Sequence, residues 1–547
     1  MKKIALSVLV LMLVITLGFT NQAQACTNLL VSKGASKDGS VFISYLADSH
    51  TLFGELYHFP AANYPAGSML DITEWDTGKH LGQIKQVSHT YNVVGNMNEH
   101  QVSIGETTYG GREEIQQQPV AVVDYGSLIY IALQRSKTAR EAIKVMTDLV
   151  AEYGYASEGE SFSISDANEV WIMEMIGKGK EEKGAVWVAM RVPEGYICAH
   201  ANQARIQTFP LNDPQNCVYS SDVITFARKM KWFNGNDKDF SFSDTYNPVE
   251  FGGARFCDAR VWSMFRRVNK EMDQYADYAQ GINLSHRMPL FVKPDHKLDL
   301  QEVMNLMRDH YEGTPLDMMK DMGGGPYMCG VRWRPMTWKV DSVNYINERA
   351  ISTQQTGFFF VSQSRSWLPD PIGGIHWFGV DDTYSSVYTP MYSSITEIPH
   401  NYAVGNGSIM EFSDDAAFWV FNQVANFAYT RYNAMIPEIQ SLQKELEQKY
   451  IMTSGVTDIA AAELYKKDPA LAVQYLSDYS ANQASNTVAK WKGLYRYLFT
   501  KYLDGNIKTK DGDKLFPKVN QPGYSPDWYK EIVKMTGDRF KVPNQKK

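Results

Sequence analysis

The sequence of 547 residues lacks the short motifs that mark several enzyme classes. It contains no GxSxG elbow of serine hydrolases, no GxxxxGK phosphate-binding loop and no HExxH motif of zinc peptidases. Its eleven histidines do not cluster, and its five cysteines show no CxxC or CxxH spacing. Because structural zinc sites use such spacings, we expect no metal site, and nothing in the sequence indicates another cofactor.

Basic residues are not in excess, since the formal net charge is −7. We therefore expect no nucleic-acid partner, which would need a basic patch.

No run after residue 19 is apolar enough to span a bilayer, which takes about 20 residues. Internal repeats and low-complexity segments are also missing. The chain is long enough for a large core, and it fits either a monomer or a homo-oligomer.

The start of the sequence has the pattern of a signal peptide. A short basic segment and an apolar run, residues 4–19, precede Ala23-Gln24-Ala25, which fits the small-x-small cleavage rule. We therefore predict removal of residues 1–25 and export to the periplasm or the extracellular space. Cys26 then becomes the first residue of the mature chain. An uncleaved membrane anchor is disfavoured because the apolar run is short.

A cysteine behind a cleavage site also suggests a lipoprotein. The lipoprotein recognition box carries leucine three residues before the cysteine and a small residue two before it. Here these positions hold Ala23 and Gln24. A non-catalytic lipoprotein, lipidated at Cys26, is therefore the less favoured alternative.

The odd number of cysteines leaves at least one thiol without an intramolecular disulfide. Besides Cys26, the chain contains Cys198, Cys217, Cys257 and Cys329. These four are either buried small hydrophobic residues or form up to two disulfides in one of three connectivities.

The apolar patterns predict an α+β fold. Asp38-Gly39 separates two β-rich runs, which indicates a hairpin whose first strand starts at the cysteine. Residues 161–201 read as an antiparallel meander, and residues 136–154 as a helix that ends on glycine. Sheet, helix and sheet in this order fit a layered domain, which we place at residues 26–412.

Further helices are predicted in the second half of the chain. Residues 298–322 have a helical pattern, which the breaker Gly323 to Pro326 follows, and residues 353–392 return to strands and loops. The pattern is helical again over 414–450 and 471–503. We interpret residues 413–547 as a helical extension that packs on the same globule.

An N-terminal cysteine brings a nucleophile and a base together. An α-amino group titrates near pH ~7.7–8.0 and a thiol near ~8.5, so the amine of Cys26 can accept the proton of its own thiol. Other residues then need only orient the amine and stabilise an oxyanion. Such a site suits amide hydrolysis through an acyl-enzyme.

The segment CTNLLVSKGASKDGSVFISYLADS, which starts at Cys26, resembles the opening of N-terminal-nucleophile hydrolases. It resembles above all the dipeptidase A family of cysteine peptidases, which is related to penicillin V acylase and the conjugated bile-acid hydrolases. The resemblance covers most of residues 26–400 and implies an αββα four-layer sandwich. It continues in NMNEHQVSIGETTYGG (96–111), FSISDANEVWIMEM (162–175), GYICAHANQARI (195–206), DARVWSMFR (258–266) and SQSRSWLPDPIGGIHWFG (362–379).

The resemblance assigns roles to individual residues. It makes Cys26 the nucleophile, Asp48 the carboxylate that holds the α-amino group, and Asn202 a contact of the reacting centre. Arg260 matches the arginine at the rear of the acylase sites. The alternatives are structural: a turn cap for Asp48, a turn residue for Asn202 and a surface ion pair for Arg260.

Two positions depart from the acylase pattern. Tyr45 stands where the acylases carry an arginine beside the nucleophile, and Thr108 aligns with their oxyanion asparagine. We assign Tyr45 to substrate binding and Thr108 to the catalytic group, where its hydroxyl or a backbone N–H would donate to the oxyanion. Glu106 is a candidate for binding the free amine of a substrate, the alternative being a solvated glutamate.

These observations together predict an exported cysteine dipeptidase that hydrolyses dipeptides or small peptides from an N-terminal Cys26. The alternative enzyme is an N-acyl amide hydrolase of the bile-salt or penicillin V acylase type. The tyrosine at position 45 argues against that alternative, because the acylases carry an arginine there.

Overall fold

The computed structural model describes residues 26–116, 118–180, 182–331 and 336–543. The predicted signal peptide, residues 1–25, lies outside this range. None of the helices in the described ranges combines the length and the apolar character needed to cross a membrane.

The first of two large sheets contains the strand that follows Cys26. Its seven strands all pair antiparallel. With strands numbered along the chain, the order across the sheet is β16 (Phe291–Val292), β14 (Ile197–His200), β1 (Thr27–Val31), β2 (Val41–Asp48), β19 (Thr356–Ser364), β20 (Ile375–Val380) and β21 (Thr389–Tyr392). Strands β1 and β2 are buried along their whole length, as their nearly continuous apolar sequences require.

The second large sheet has eight strands, again antiparallel. Their order is β15 (Cys217–Tyr219), β13 (Ala185–Arg191), β12 (Val170–Gly177), β11 (Gly159–Ser165), β10 (Ser103–Gly110), β9 (Met97–Asn98), β8 (Val93–Val94) and β3 (His58–Phe59). Strands β10 and β11 contact β1 and β2 of the first sheet.

Small hairpins and helices surround the two sheets. The two-stranded pairs are β4 (Ala62–Asn63) with β7 (His89–Thr90), β5 (Met69–Thr73) with β6 (His80–Lys85), β17 (Thr337–Val340) with β18 (Val343–Ile346), and β22 (Ile507–Thr509) with β23 (Lys518–Asn520). The helices are α1 (Tyr125–Arg135), α2 (Ala139–Tyr153), α3 (Val223–Lys229), α4 (Phe242–Tyr246), α5 (Ala259–Val268), α6 (Ala276–Ala279), α7 (Leu300–Leu306), α8 (Asp370–Gly373), α9 (Ala417–Ala428), α10 (Tyr432–Tyr465), α11 (Pro469–Lys501) and α12 (Pro526–Thr536).

Two hydrophobic clusters hold these elements together. The larger cluster contains side chains of the first sheet, of β12 and β13, and of α9, α10 and α11. The smaller cluster lies between the second sheet and helices α1 and α2. Burial of apolar surface on this scale is the main stabilising term. The mixture of helices with antiparallel sheets confirms the predicted α+β class.

Two local predictions for the N-terminal half are confirmed, the first hairpin and the helix that ends on glycine. Strands β1 and β2 form the expected hairpin, and Gly39 in its loop has φ +82°, a conformation that favours glycine. Helix α2 begins after Thr138, whose side chain accepts the backbone N–H of Glu141. It ends at Gly154, which has φ +81°.

The prediction that residues 161–201 form one meander is wrong for the last strand. Strands β11, β12 and β13 are consecutive neighbours, but β14 lies in the other sheet and pairs with β1. The chain turns at Gly195, φ +83°, whose backbone N–H donates to Ser32 Oγ. Strand β1 has β2 on one side only, and β14 supplies hydrogen-bond partners for the backbone groups on its other side.

The prediction of a helix over residues 298–322 is correct only for its first part, α7. Beyond it, side chains bind the backbone locally: Asp309 Oδ1 accepts the N–H of Tyr311, which has φ +64°. Such bonds compete with helix formation. The strands and loops expected over 353–392 are confirmed, and the two later helical regions are confirmed as α9, α10 and α11.

Candidate active site

Strand register brings three of the predicted site residues together. Thr27 pairs with Leu46 of β2, and Asn28 pairs with His200 of β14. Cys26, one residue before β1, therefore lies between the end of β2, where Asp48 is, and Asn202, which follows β14. Asn202 has φ +62°, a conformation that asparagine tolerates better than most residues.

The thiol of Cys26 is buried, with only 6% of the residue exposed. Its Sγ lies 3.6 Å from Tyr45 Oη and 3.6 Å from Glu106 Oε1, and the Tyr45 hydroxyl donates to the same Glu106 oxygen. Burial, and then the charges of Glu106 and Asp48, raise the pKa of the Cys26 thiol well above its usual value. A thiol in this environment needs a neighbouring base before it can attack.

Glu106 reaches the thiol because the two sheets approach closely at this point. Asn28 Nδ2 of β1 donates to the backbone oxygen of Glu106 in β10 at 2.6 Å. The preceding residue is Gly105, and a Cβ there would lie 2.5 Å from Asn28 Oδ1. Only glycine fits this contact, so the sequence Gly105-Glu106 fixes the acidic side chain beside the thiol.

Asp48 is buried and its carboxylate is bound on both oxygens. Arg349 Nη2 donates to Oδ2 at 2.6 Å, and Thr356 Oγ1 donates to Oδ1 at 2.6 Å. Burial raises the pKa of Asp48, and the guanidinium of Arg349 opposes this shift. A fixed carboxylate of this kind can orient a neighbouring amine, and neither Arg349 nor Thr356 was suggested by the sequence.

Arg260 is not a surface ion pair, since only 1% of it is exposed. Its Nη1 donates to the backbone oxygen of Cys26 at 2.6 Å and to Thr27 Oγ1 at 2.7 Å. Its Nη2 donates to Asn202 Oδ1 at 2.9 Å and to the backbone oxygen of Ala201 at 3.1 Å. Arg260, at the start of α5, therefore fixes the start of β1 and the residues after β14 in one position.

Thr108 lies two residues beyond Glu106 on β10, and its side chain points to a second acid. Its Oγ1 donates to Glu160 Oε1 at 2.8 Å, while its backbone oxygen accepts Asn202 Nδ2 at 2.7 Å. Glu160 lies across from Thr108 on the neighbouring strand β11, so its carboxyl group is buried in the same region as that of Glu106. Burial raises the pKa of both, and the charge of Glu106 raises that of Glu160 further. One proton shared by the two groups relieves their repulsion.

The Glu160→Gln variant should reveal this proton in the stability of the fold. Because folding raises the pKa of Glu160, the free energy of unfolding falls as pH rises from about 4.5 toward the raised pKa. The variant has no carboxyl group at this position, so its free energy of unfolding does not fall in this way. Its free energy of unfolding should equal that of the wild type near pH 4 and exceed it at higher pH. The difference should grow by at most about 1.4 kcal/mol per pH unit, measured by urea denaturation between pH 4 and 8.

Glu114→Gln is the matched control, because Glu114 is exposed on the segment just after β10. It should show no such trend. A Glu160→Gln curve parallel to that of the wild type at every pH would contradict the shared proton.

A cavity of about 380 Å³ opens above Cys26. Tyr45, Asp48 and Glu106 lie with the thiol on its floor, and the segment Glu74 to Gly78 forms part of its outer wall. Thr108, Asn202 and Arg260 support the floor from behind and do not line the cavity. The volume suits a small substrate.

The described part of the chain contains no disulfide, although all five cysteines lie within it. It also contains no group of three or more His, Cys, Asp or Glu side chains placed to hold a metal ion. The site itself presents the thiol of Cys26, the carboxyl groups of Asp48 and Glu106, and the buried guanidinium groups of Arg260 and Arg349.

Comparison with known proteins identifies the family of the chain. The profile of peptidase family C69 matches residues 54–445. The chain is 24% identical over 477 residues to a probable dipeptidase of Latilactobacillus sakei, covering 83% of this chain and 91% of that protein. It is 22% identical over 511 residues to probable dipeptidase B of Streptococcus pyogenes serotype M1, covering 90% and 96%. The resemblance to dipeptidases that the sequence motifs indicated is thus confirmed, and the chain belongs to peptidase family C69.

Proposed function

We propose that this peptidase is an exported cysteine dipeptidase that acts, after removal of residues 1–25, through the N-terminal thiol of Cys26. The observation that carries the proposal is the position of this thiol, on the floor of a small cavity, 3.6 Å from Glu106 Oε1. The names of the relatives, probable dipeptidase and probable dipeptidase B, support the substrate class. Two sheets in contact, with helices against each, support the αββα sandwich.

The reaction begins with proton transfer from the thiol of Cys26 to its own α-amine. The thiolate attacks the carbonyl carbon of the peptide bond, and the bond to nitrogen breaks as the α-ammonium returns the proton to the leaving amine. Water then hydrolyses the thioester in the same manner. Asp48 holds the α-amine, and Asn202 supports the floor behind the reacting centre through its bond to Arg260. Of the two predicted oxyanion donors, the Thr108 hydroxyl is used by Glu160, which leaves a backbone N–H for this role.

Glu106 is suited to bind the free amine of the substrate. In a dipeptide the α-nitrogen lies about 2.5 Å from the carbonyl carbon that is attacked. A group that binds this ammonium must therefore lie next to the nucleophile, as Glu106 does. The Tyr45 hydroxyl fixes the orientation of the Glu106 carboxyl group, which agrees with the predicted role of Tyr45 in substrate binding.

The charges of the cavity favour a dipeptidase over an acylase. Four carboxyl groups line the cavity, those of Asp48, Glu74, Asp76 and Glu106. Within the described residues its lining includes no lysine, arginine or histidine. Glycine-conjugated bile acids and penicillin V are anions, which such a cavity repels, whereas a dipeptide is a zwitterion without net charge whose ammonium group the carboxylates attract.

The test starts from the native protein secreted by its source. Its intact mass and N-terminal sequence should correspond to a chain that begins with unmodified Cys26. This chain should hydrolyse Ala-Ala and related dipeptides and should not cleave glycocholate or penicillin V. It should cleave the N-acetyl forms of the dipeptides at least about 100-fold more slowly, because acetylation removes the charged partner of Glu106.

Three results would overturn the proposal. Hydrolysis of glycocholate or penicillin V alone would identify an acylase. A chain that begins elsewhere would remove the mechanism, as would a lipidated Cys26, detected by detergent partitioning and by sensitivity of processing to globomycin.

A further inference from the structure

The outer wall of the cavity is the tip of the β5–β6 hairpin. Residues Glu74, Trp75, Asp76 and Gly78 of this tip line the cavity. The tip is closed by hydrogen bonds from Glu74 N–H to the backbone oxygen of Lys79 and from Gly78 N–H to that of Glu74. Its two carboxylates are therefore held at the mouth of the cavity that contains the nucleophile.

The hairpin tip is fastened to the start of helix α1. Trp75 N–H donates to Asp124 Oδ2 at 2.8 Å, and the hydroxyl of Tyr125 donates to Asp76 Oδ1 at 3.0 Å. The Trp75 side chain lies directly on Gly126, where a Cβ would come within 2.5 Å of it. The position of Asp76 is thus fixed before any substrate binds, which limits the ordering cost of binding.

Aromatic rings accompany the two carboxylates. The Trp75 ring lies 4.9 Å from the ring of Tyr57 and 4.8 Å from that of Tyr130, centroid to centroid. Both tyrosines line the cavity with Trp75. Aromatic faces attract a cation by their quadrupole and also pack against its aliphatic stem.

The carboxyl groups of the cavity influence one another. Burial, and then the charge of Asp76 on the hairpin tip, raises the pKa of Glu106 on the floor. Burial, and then the charges of Glu106 and Asp76, raises the pKa of Tyr125. Asn96 also lines the cavity, and only 2% of it is exposed. Its Oδ1 has no hydrogen-bond donor among the described residues. The same cavity thus offers a buried acceptor and several carboxyl groups to a positively charged donor.

We propose that the hairpin tip, with Glu74 and Asp76, forms a subsite for the cationic side chain of a lysyl or arginyl residue in the dipeptide. This inference rests on the proposed function, because it assigns a subsite next to the predicted nucleophile. Glu106 is used by the α-ammonium and Asp48 is bound to Arg349, whereas Glu74 and Asp76 stand on the hairpin tip in the outer wall of the cavity, where a substrate side chain reaches them. The aliphatic stem then packs on Trp75 and Tyr130, and the charged end lies at the hairpin tip.

The experiment compares charged and uncharged dipeptides of similar length. The mature chain should cleave Lys-Ala or Ala-Lys with kcat/KM at least about tenfold higher than the matched Met-Ala or Ala-Met, a factor expected for one solvent-accessible ion pair with an aromatic partner. In the double variant Glu74→Gln, Asp76→Asn this ratio should fall to near one. Asp71→Asn is the control, because Asp71 is exposed on β5 of the same hairpin and bonds to His80 and Gln83; its ratio should match that of the wild type.

A second measurement does not depend on turnover. Calorimetric titration of the Cys26→Ala chain should show tighter binding of the preferred lysyl dipeptide than of its methionyl partner, and the double variant should lose this difference. Equal rates and equal affinities for the charged and uncharged partners would overturn the subsite and leave the dipeptidase intact. A preference that persists in the double variant would also overturn it. Binding without hydrolysis of any dipeptide by the mature chain would overturn the proposed function instead.

Discussion

Replacing Cys26 by alanine is expected to leave a folded protein that hydrolyses dipeptides at least about 10³-fold more slowly than the wild type, as for other enzymes that lose their nucleophile. The alanine removes only a sulfur atom that faces the cavity, so the melting temperature should change by a few degrees at most. Cys26→Ser should also fold and lose most turnover, because a hydroxyl is a weaker nucleophile than a thiolate.

Cys217→Ala is the control for this prediction. Cys217 is buried in edge strand β15, away from the cavity. We expect some loss of stability and no loss of chemistry, and the same holds for single changes at Cys198, Cys257 and Cys329. Full activity in the Cys26→Ala chain would end the nucleophile hypothesis, whatever the N-terminal sequence of the mature protein.

Replacing Arg260 by methionine should cause the largest loss of stability among single changes at the site. The guanidinium group makes five hydrogen bonds, to the backbone oxygens of Cys26, Ala201 and Phe256 and to the side chains of Thr27 and Asn202. Methionine fills much of the volume but leaves these acceptors without their donor. Since each buried unsatisfied group costs about 1–3 kcal/mol, we expect a loss of at least about 4 kcal/mol in the free energy of unfolding.

Two further variants separate stability from catalysis. Arg266→Met, on the same helix, breaks an ion pair with the exposed Asp273 and should cost at most about 1 kcal/mol. Arg260→Lys keeps the charge but cannot form the planar fork, so it should fold and lower kcat more than it changes KM. A destabilisation by Arg260→Met no larger than that by Arg266→Met would contradict the assigned contacts.

Local elements of this protein could be predicted from its sequence because their signals lie within a few residues. Gly39 between two apolar runs, and Thr138 and Gly154 at the ends of one helix, are examples. The motifs around Cys26 and Asn202 likewise indicated residues that strand register does bring side by side.

The partners of these residues could not be predicted, because they come from distant parts of the chain. Arg349 binds Asp48 across 301 residues, and no pattern near Arg349 distinguishes it from a surface arginine. Glu160 comes close enough to Glu106 for the charge of one to affect the pKa of the other only because β11 lies beside β10. The assignment of β14 to the wrong sheet has the same origin, since a short apolar strand fits either sheet equally well by its sequence.

The pairing of β2 with β19 has a consequence for how the protein comes into being. Asp48 and Thr356 are 308 residues apart, so a ribosome must extend the chain past β19 before β2 gains its second neighbour. Until then β2 presents an open edge. Its eight residues are apolar or small except the last, Asp48. Contacts between residues so distant in sequence also form slowly. The buried carboxylate of Asp48 lacks both of its partners, Arg349 and Thr356, until the ribosome has made them. The candidate site is therefore completed late in the synthesis of the chain.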